Sequence, residues 1–158
     1  MNNRSILNII LTISIISLAS AYFIEYILHY KPCNLCIIER IPYFISCIII
    51  FLSFYFKRLE KVIFVILAII FLIGAIISFY HFGIEQGFFE ESFMCILDNE
   101  INILTKENLL KNLQKTVVSC KEVEFKILGL SLATINALLS LLLSVISFKI
   151  FLNYEKNR

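Results

Sequence analysis

The sequence has few charged residues and lacks several of the motifs that identify common function classes. Only 16% of its 158 residues are charged, and the formal net charge at pH 7 is +2. It contains no glycine-rich phosphate loop, no dinucleotide fingerprint, and no cluster of lysine and arginine interleaved with aromatic residues. These absences exclude nucleic acid as a partner and give no reason to expect a flavin or nicotinamide cofactor.

Segments typical of linkers are also absent. The chain has four glycines and two prolines, with no internal repeat and no stretch rich in Pro, Gly and Ser. We therefore expect a single domain over residues 1–158.

Hydrophobic residues dominate what remains. They make up 59% of the chain, and the mean hydropathy of +0.88 lies outside the range of soluble globular domains. Four apolar segments have about the 20 residues needed to span a bilayer. They run over about 6–28, 35–56, 62–83 and 127–148. Since only helices satisfy the backbone of such spans in lipid, we predict an all-α membrane protein, a four-transmembrane-helix bundle.

The loops between these spans differ in length. The second and third spans are joined by the short segment "KRLEK", residues 57–61, while loops over about 29–34 and 84–126 lie on the other side. Between residues 101 and 117, apolar side chains recur near helical spacing with polar residues between them. This pattern predicts a short interfacial helix lying on the membrane surface within the long loop.

The first span also resembles a secretory signal. It has a basic start, an apolar centre and the sequence Ala19-Ser20-Ala21, which is similar to a signal-peptidase site. The apolar run continues past that point as "YFIEYIL", which favours an uncleaved first helix.

Basic residues indicate the orientation. Seven lie on the side of the termini and seven on the opposite side, but those on the terminal side crowd the helix ends with few acidic neighbours. By the positive-inside rule, this density favours cytoplasmic termini. The long loop would then be periplasmic in a bacterial inner membrane.

Four of the five cysteines fall on one side of the predicted membrane. Cys33 and Cys36 precede the second span, and Cys95 and Cys120 lie between the third and fourth spans. Disulfides persist outside the cytosol, so this distribution indicates two redox pairs facing outward. Cys47, inside the second span, is interpreted as a small buried apolar residue.

The first pair has C-x-x-C spacing, which is typical of thiol redox chemistry at a helix start and also of zinc sites. Zinc is the weaker interpretation, because Cys95 and Cys120 are 25 positions apart and form no second knuckle. For that second pair, a purely structural bridge remains an alternative.

Charged residues follow the first pair. Arg40 comes four positions after Cys36, so on a helix their side chains share a face. The apolar run after it, residues 41–56, spans roughly 24 Å against a hydrocarbon core of about 30 Å, which places Arg40 at the membrane edge. It could there bind the carbonyl of a lipid-soluble oxidant or reach lipid phosphates. Pro42 predicts that this first turn is either kinked or part of the loop, and Glu25 is either a functional carboxylate or a group facing the bundle.

Three stretches of the sequence carry a family resemblance. "KPCNLCIIERIPYF" resembles the disulfide bond formation protein B (DsbB) family around its first redox pair, and "YHFGIEQGFFEESFMC" resembles the end of its third helix and its third cysteine. "CKEVEFKILGLSLATINALLSL" is similar to its fourth cysteine and fourth helix. With four spans in the same order, the resemblance covers nearly the whole chain.

This resemblance implies an inner-membrane enzyme that reoxidises a periplasmic DsbA-like thioredoxin-fold oxidase and passes the electrons to ubiquinone or menaquinone, with no flavin and no metal. Cys95 would form the mixed disulfide with the partner, and Cys120 would complete the second pair. Electrons would then reach Cys33 and Cys36, of which Cys36 would contact the quinone.

The resemblance also assigns residues on the quinone side. Arg40 matches the family's quinone-side arginine, and His81 occupies the position of a histidine near the same headgroup. Three more residues match the pattern with no chemistry assigned to them: Glu39, Pro42 and Glu85.

Other functions remain open at this point. A non-enzymatic membrane scaffold with structural disulfides would have the same loops, and a DsbB-like paralogue could serve a dedicated partner. A quinone reductase of the vitamin K epoxide reductase type has its C-x-x-C after the loop cysteines, so the order here argues against it.

Overall fold

A computed structural model describes residues 3–55, 60–90, 95, 120, 126–127 and 129–156 of the chain. The described residues form four long helices, one helix of five residues, and a two-residue strand pair before the last helix. The helices are α1 (Asn3–Tyr26), α2 (Asn34–Ile38), α3 (Ile41–Tyr55), α4 (Glu60–Glu85) and α5 (Leu132–Lys156), and the strands are β1 (Lys126–Ile127) and β2 (Leu130–Ser131).

Four helical stretches are long and apolar enough to cross a membrane. They are α1, the combined stretch of α2 and α3, α4 and α5, and large apolar side chains on each are exposed on the outside of the bundle. Such a surface is stable only against lipid, because exposed apolar patches of this extent are unfavourable in water. The predicted four-transmembrane-helix bundle is therefore confirmed. The predicted interfacial helix lies outside the described residues.

The second span is broken near its start. Helix α2 ends at Ile38 and α3 begins at Ile41, with Glu39 and Arg40 in the turn between them. Pro42 accounts for the break, because its ring would clash with the carbonyl of Ile38 in a continuous helix and it has no N–H to donate. The break points the two charged side chains toward different neighbours.

The fourth span begins later than its apolar run. The sequence indicates a start near residue 127, whereas α5 begins at Leu132. Gly129 has φ of +83°, which favours glycine, and it turns the chain between β1 and β2. The hydroxyl of Ser131 then accepts a hydrogen bond from the Thr134 N–H at 3.2 Å, as an N-cap does. The turn at Gly129 and the cap at Ser131 therefore make α5 begin later than the apolar run does.

The bundle has two distinct halves. Helix α4 is central: it packs most extensively on α5 and also contacts α3, which in turn packs on α1. An apolar core extends from the starts of α1 and α4 as far as Tyr43 near the start of α3, and its members are Leu7, Ile10, Tyr43, Ile50, Ile63, Phe64, Leu67, Phe71 and Leu143. The opposite half contains polar groups and cysteines.

Gly74 permits the close approach of three helices. A Cβ at this position would lie 3.1 Å from Cγ of Pro42 on α3 and 3.6 Å from Oγ of Ser140 on α5. Small residues at such crossings allow transmembrane helices to pack closely.

Replacing Gly74 should therefore destabilise the bundle. We expect Gly74→Val to lower the free energy of unfolding by about 1–3 kcal/mol through overpacking, measured as a lower thermal-unfolding midpoint in detergent. Ala19→Val adds bulk at an exposed position of α1 and should leave the midpoint unchanged. Equal effects of the two variants would contradict the close helix contact.

Candidate functional site

The first cysteine pair lies at the start of α2. Cys33 is the N-cap residue, and its Sγ accepts a hydrogen bond from the Cys36 N–H at 3.3 Å. The two Sγ atoms are 2.7 Å apart. The cap geometry turns both sulfurs to the same side of the helix start, where they can exchange between dithiol and disulfide.

The environment of Cys33 favours its thiolate. Its pKa is lowered, chiefly because its sulfur accepts a hydrogen bond from the Cys36 side chain and also because it accepts the backbone N–H of Cys36. Burial and the nearby Glu39 carboxylate act in the opposite direction. Since the thiolate is the reactive form in exchange, Cys33 is placed to react.

His81 connects this pair to a buried carboxylate. Its Nε2 lies 3.6 Å from Sγ of Cys33, and its Nδ1 lies 2.7 Å from Oε1 of Glu39. Only 3% of His81 and 6% of Glu39 are exposed, so neither group has much contact with solvent. Oε1 of Glu85 is 3.9 Å from Nε2. Helix α4 therefore supplies an imidazole that touches both the thiol and an acid.

A hydrogen-bond network holds the other side of the carboxylate. The Asn136 amide donates to Oε2 of Glu39 at 2.9 Å and to the Ser78 hydroxyl at 2.7 Å. The Tyr43 hydroxyl donates to Oδ1 of Asn136 at 2.6 Å and lies 2.8 Å from the hydroxyl of Ser140. Buried polar groups need such partners, and here the partners come from α3, α4 and α5.

Arg40 points away from this network toward α1. Its guanidinium forms an ion pair with Glu25 and lies over the ring of Tyr22, 5.0 Å from the ring centroid. The side chains of Arg40 and Glu25 are 16% and 24% exposed. Glu25, which the sequence left ambiguous, thus faces the bundle and compensates the charge of Arg40.

The second cysteine pair lies beside the first. Cys95 and Cys120 form a disulfide with a Cα–Cα distance of 6.1 Å, and both are buried. They pack in one cluster with Cys33, Leu35 and Ile84. This packing places two redox-capable pairs side by side at the same end of the bundle.

A cavity of about 350 Å³ opens beside these groups. Its apolar walls come from α1 and α5 and include Ile16, Leu18, Ile24 and Leu139. Its polar lining is formed by Cys33, Cys36, Glu25, Glu39, Arg40, His81, Glu85 and Cys120, among others. The size falls in the range of small-molecule sites, and the mixture of apolar walls with a few convergent polar groups is typical of them.

These residues fit a flat, lipid-soluble acceptor with carbonyl oxygens. The apolar walls of the cavity lie within helices that span the membrane, where such a molecule dissolves. Arg40 lines it with N–H groups suited to carbonyl oxygens, the His81 ring also lines it, and Cys36 is a half-buried lining residue. The structure thus places both predicted quinone-side residues on the cavity that the first pair lines.

The site is less well suited to zinc. Sγ of Cys33, Sγ of Cys36 and a ring nitrogen of His81 lie within 4.8 Å of one another, so a metal site is conceivable. However, two thiolates bound to one tetrahedral zinc at about 2.3 Å stand roughly 3.8 Å apart. In this structure the two sulfurs are 2.7 Å apart, so they would have to separate in order to bind zinc.

Sequence reasoning missed the network around Glu39. It singled out Glu39 and Glu85 without a role, and it did not select Asn136, Ser78 or Tyr43. The available signal was their position, since polar side chains within membrane spans usually face the bundle interior and have a partner there. Cys47 is half-buried on α3 with a free thiol.

Comparison with known proteins supports one family. The family described as "DsbB: Disulfide bond formation protein DsbB" matches residues 3–150. An uncharacterized protein of Rickettsia prowazekii (strain Madrid E) is 35% identical over 155 residues, which cover 96% of this chain and 90% of that protein. No solved structure matches the chain.

The pair formed by Arg40 and Glu25 generates a stability prediction. Glu25→Gln and Arg40→Met should each lower the thermal-unfolding midpoint in detergent, because each leaves a partly buried charge without its partner. The double variant should lose less than the sum of the two, with a coupling of about 1 kcal/mol or more.

The pair formed by Arg4 and Glu60 provides a matched control. Its atoms are 3.4 Å apart and Arg4 is 40% exposed, so the same cycle with Arg4→Met and Glu60→Gln should give a smaller coupling. Strictly additive losses for Glu25→Gln and Arg40→Met would show that Arg40 does not depend on Glu25.

Proposed function

This chain belongs to the DsbB family of disulfide bond formation proteins, and from that membership we propose that it is a quinone-dependent oxidoreductase serving a periplasmic partner. It would reoxidise a DsbA-like thioredoxin-fold oxidase and deliver the two electrons to membrane quinone. The family establishes a multi-pass membrane protein of disulfide formation. The partner, the electron acceptor and the roles of single residues are our proposal.

The proposed electron path runs from the second pair to the first. The partner's thiolate attacks Cys95, which releases Cys120 and forms a mixed disulfide, and the second thiol of the partner then resolves it. The reduced second pair transfers its electrons to Cys33 and Cys36 by the same exchange chemistry. Support comes from the shared cluster, in which Cys33 packs with Cys95 and Cys120.

The first pair would then be reoxidised at the cavity. Quinone supplies the two-electron sink that thiol exchange alone lacks. Cys36 lines the cavity from the half-buried side of the pair, and Arg40 would donate a charge-assisted hydrogen bond to a carbonyl oxygen there. His81 would bind near the same headgroup. The cysteines and the quinone would be sufficient for this reaction without a flavin or a metal.

The proposed orientation places both termini in the cytoplasm. It is supported by the basic residues near the start of α1 and in the segment 57–61. It is also supported by the cysteines, since both pairs gather at the opposite end of the bundle. An outward-facing site would meet its partner in an oxidising compartment.

The observation that carries this proposal is the meeting of both cysteine pairs at one cavity with apolar walls. The test is turnover: the purified protein in detergent should oxidise a reduced DsbA-like protein only when ubiquinone or menaquinone is present, measured as loss of quinone absorbance. Cys36→Ser and Cys95→Ser should abolish turnover, while Cys47→Ser, remote from the cavity lining, should retain it. Absence of turnover with either quinone would favour a scaffold with structural disulfides.

Arg40 should act mainly on quinone binding. We expect Arg40→Met to raise the KM for quinone about 10-fold to 100-fold, because a hydrogen bond to a charged group contributes roughly 1.5–3 kcal/mol. The rate with the reduced partner under saturating quinone should change less. An unchanged KM for quinone in a folded variant would remove Arg40 from the acceptor site.

The order of the cysteines can be tested by trapping. In Cys120→Ser, the free Cys95 thiol can attack the disulfide of the oxidised DsbA-like protein, and no Cys120 thiol remains to displace that partner. A mixed disulfide between Cys95 and the partner should therefore accumulate on non-reducing gels. Cys95→Ser should not trap the partner. Trapping through Cys33 alone would contradict the proposed order.

A further inference from the structure

Glu39 has contacts that the proposed electron path does not use. Its two carboxylate oxygens are bound to different groups, Oε1 to Nδ1 of His81 at 2.7 Å and Oε2 to the amide of Asn136 at 2.9 Å. A buried carboxylate is unfavourable in a membrane protein unless it is fully partnered, and such groups usually have a function. Glu39 is therefore a candidate for a role in the chemistry of its neighbours.

The contact with Glu39 fixes the state of the His81 ring. A carboxylate accepts a hydrogen bond, so Nδ1 carries the proton and, in the neutral ring, Nε2 presents its lone pair. Nε2 is the atom that lies 3.6 Å from Sγ of Cys33. A thiol, an imidazole and an orienting acid thus stand in the order that activates a nucleophile.

Asn136 and its neighbours fix the carboxylate in turn. The Tyr43 hydroxyl donates to Oδ1 of Asn136, so the amide NH₂ is directed at Glu39 and at Ser78. These contacts join α3, α4 and α5. Glu39 is therefore held from the side opposite His81 and has little freedom to rotate away.

Resting on the proposed function, we propose that His81 is the base that accepts the proton of the Cys33 thiol, and that Glu39, held by Asn136, is its positioning residue. This assigns His81 a proton-transfer role toward a cysteine, in addition to any contact with the quinone. It also gives Glu39 and Asn136 a function.

Reoxidation of the first pair releases protons, and a base is needed to accept them. When the first pair is reoxidised, two S–H bonds break, one S–S bond forms, and two electrons and two protons pass to the quinone to give the quinol. Cys33 must lose its proton as its sulfur bonds to that of Cys36, and the electron pair displaced from the Cys36 sulfur would pass to the quinone. Nε2 of His81 takes this proton and releases it toward the acceptor, and it returns a proton when exchange with the second pair frees the Cys33 thiolate.

Other charged or titratable groups face the same space. Glu85 on α4 has Oε1 3.9 Å from Nε2 of His81, and Glu39 lies on the opposite side of the ring. Both carboxylates stabilise the imidazolium that forms on proton transfer, while the charge of Arg40 is compensated by its ion pair with Glu25. The remaining titratable groups that line the cavity are Tyr30, Lys31, Cys36 and Tyr43, and Cys120 lines it as part of its disulfide.

The test uses the reactivity of the Cys33 thiol. In a chain with Cys33 as its single cysteine, the rate of alkylation by iodoacetamide is measured against pH by mass spectrometry. Glu39→Gln and His81→Gln should each raise the apparent pKa of Cys33 by about one unit, so the rate at neutral pH should fall roughly tenfold. Asn136→Ala should give a smaller decrease, and Glu39→Asp should restore part of the rate.

The direction in which Glu39→Gln changes the alkylation rate of Cys33 shows whether Glu39 positions His81 or acts only through its own charge. The direct effect of the Glu39 carboxylate is to raise the pKa of Cys33, so loss of that charge alone would accelerate alkylation. Ser144→Ala is the control, since Ser144 bonds to the Ala68 carbonyl away from the site, and its rate should match the parent. Faster or unchanged alkylation in Glu39→Gln or in His81→Gln, with an unfolding midpoint close to that of the parent, would overturn the proposal.

This measurement needs neither quinone nor a partner protein. A slower rate in both variants would support the base even if turnover with quinone failed. Turnover with unchanged alkylation would instead support the proposed function and reject the base. If Glu39→Gln does not fold, the alkylation rate can be measured in His81→Gln on α4 and in Asn136→Ala on α5 instead.

Discussion

The hydrogen bond between Glu39 and His81 is the contact on which the geometry of the site depends. It joins the turn between α2 and α3 to α4, and the second oxygen of Glu39 extends the connection to Asn136 on α5. A carboxylate buried at a membrane edge has little water to hydrate it, and leaving it without a hydrogen-bond partner costs about 1–3 kcal/mol or more. The turn is therefore held in one position, and the cysteines that precede it are held with it.

Pro42 makes this arrangement possible. In an unbroken helix, adjacent side chains keep a fixed angle of about 100° around the axis, and the C-x-x-C would continue directly into the span. The break lets Glu39 reach inward to α4 while Arg40 reaches α1. Behind this turn, Gly74 lets α4 approach Pro42 closely, so α4, which carries His81, packs directly against the start of α3.

The sequence was sufficient to predict the spans and the grouping of the four loop cysteines, because each depends on local information, while the role of Arg40 stays a prediction. Apolar length predicts a span, and the three-residue spacing of Cys33 and Cys36 predicts redox chemistry. The network of Asn136, Ser78 and Tyr43 could not be predicted, because the apolar pattern of a span does not show which polar side chains meet across helices. The start of α5 was also displaced, since Gly129 and the Ser131 cap act against the hydropathy of the segment.

The two cysteines of the first pair have different surroundings, and this difference favours different roles for them in the proposed reaction. Cys33 is buried among the second pair and next to His81, so exchange and proton transfer both reach it. Cys36 is less buried, lines the cavity, and precedes Arg40 by four positions. In the proposed reaction, electrons therefore enter at one sulfur and leave from the other, only 2.7 Å away. With the proposed base beside Cys33 and with Arg40 lining the same cavity as Cys36, protons and electrons would reach the acceptor from opposite sides of a single pair.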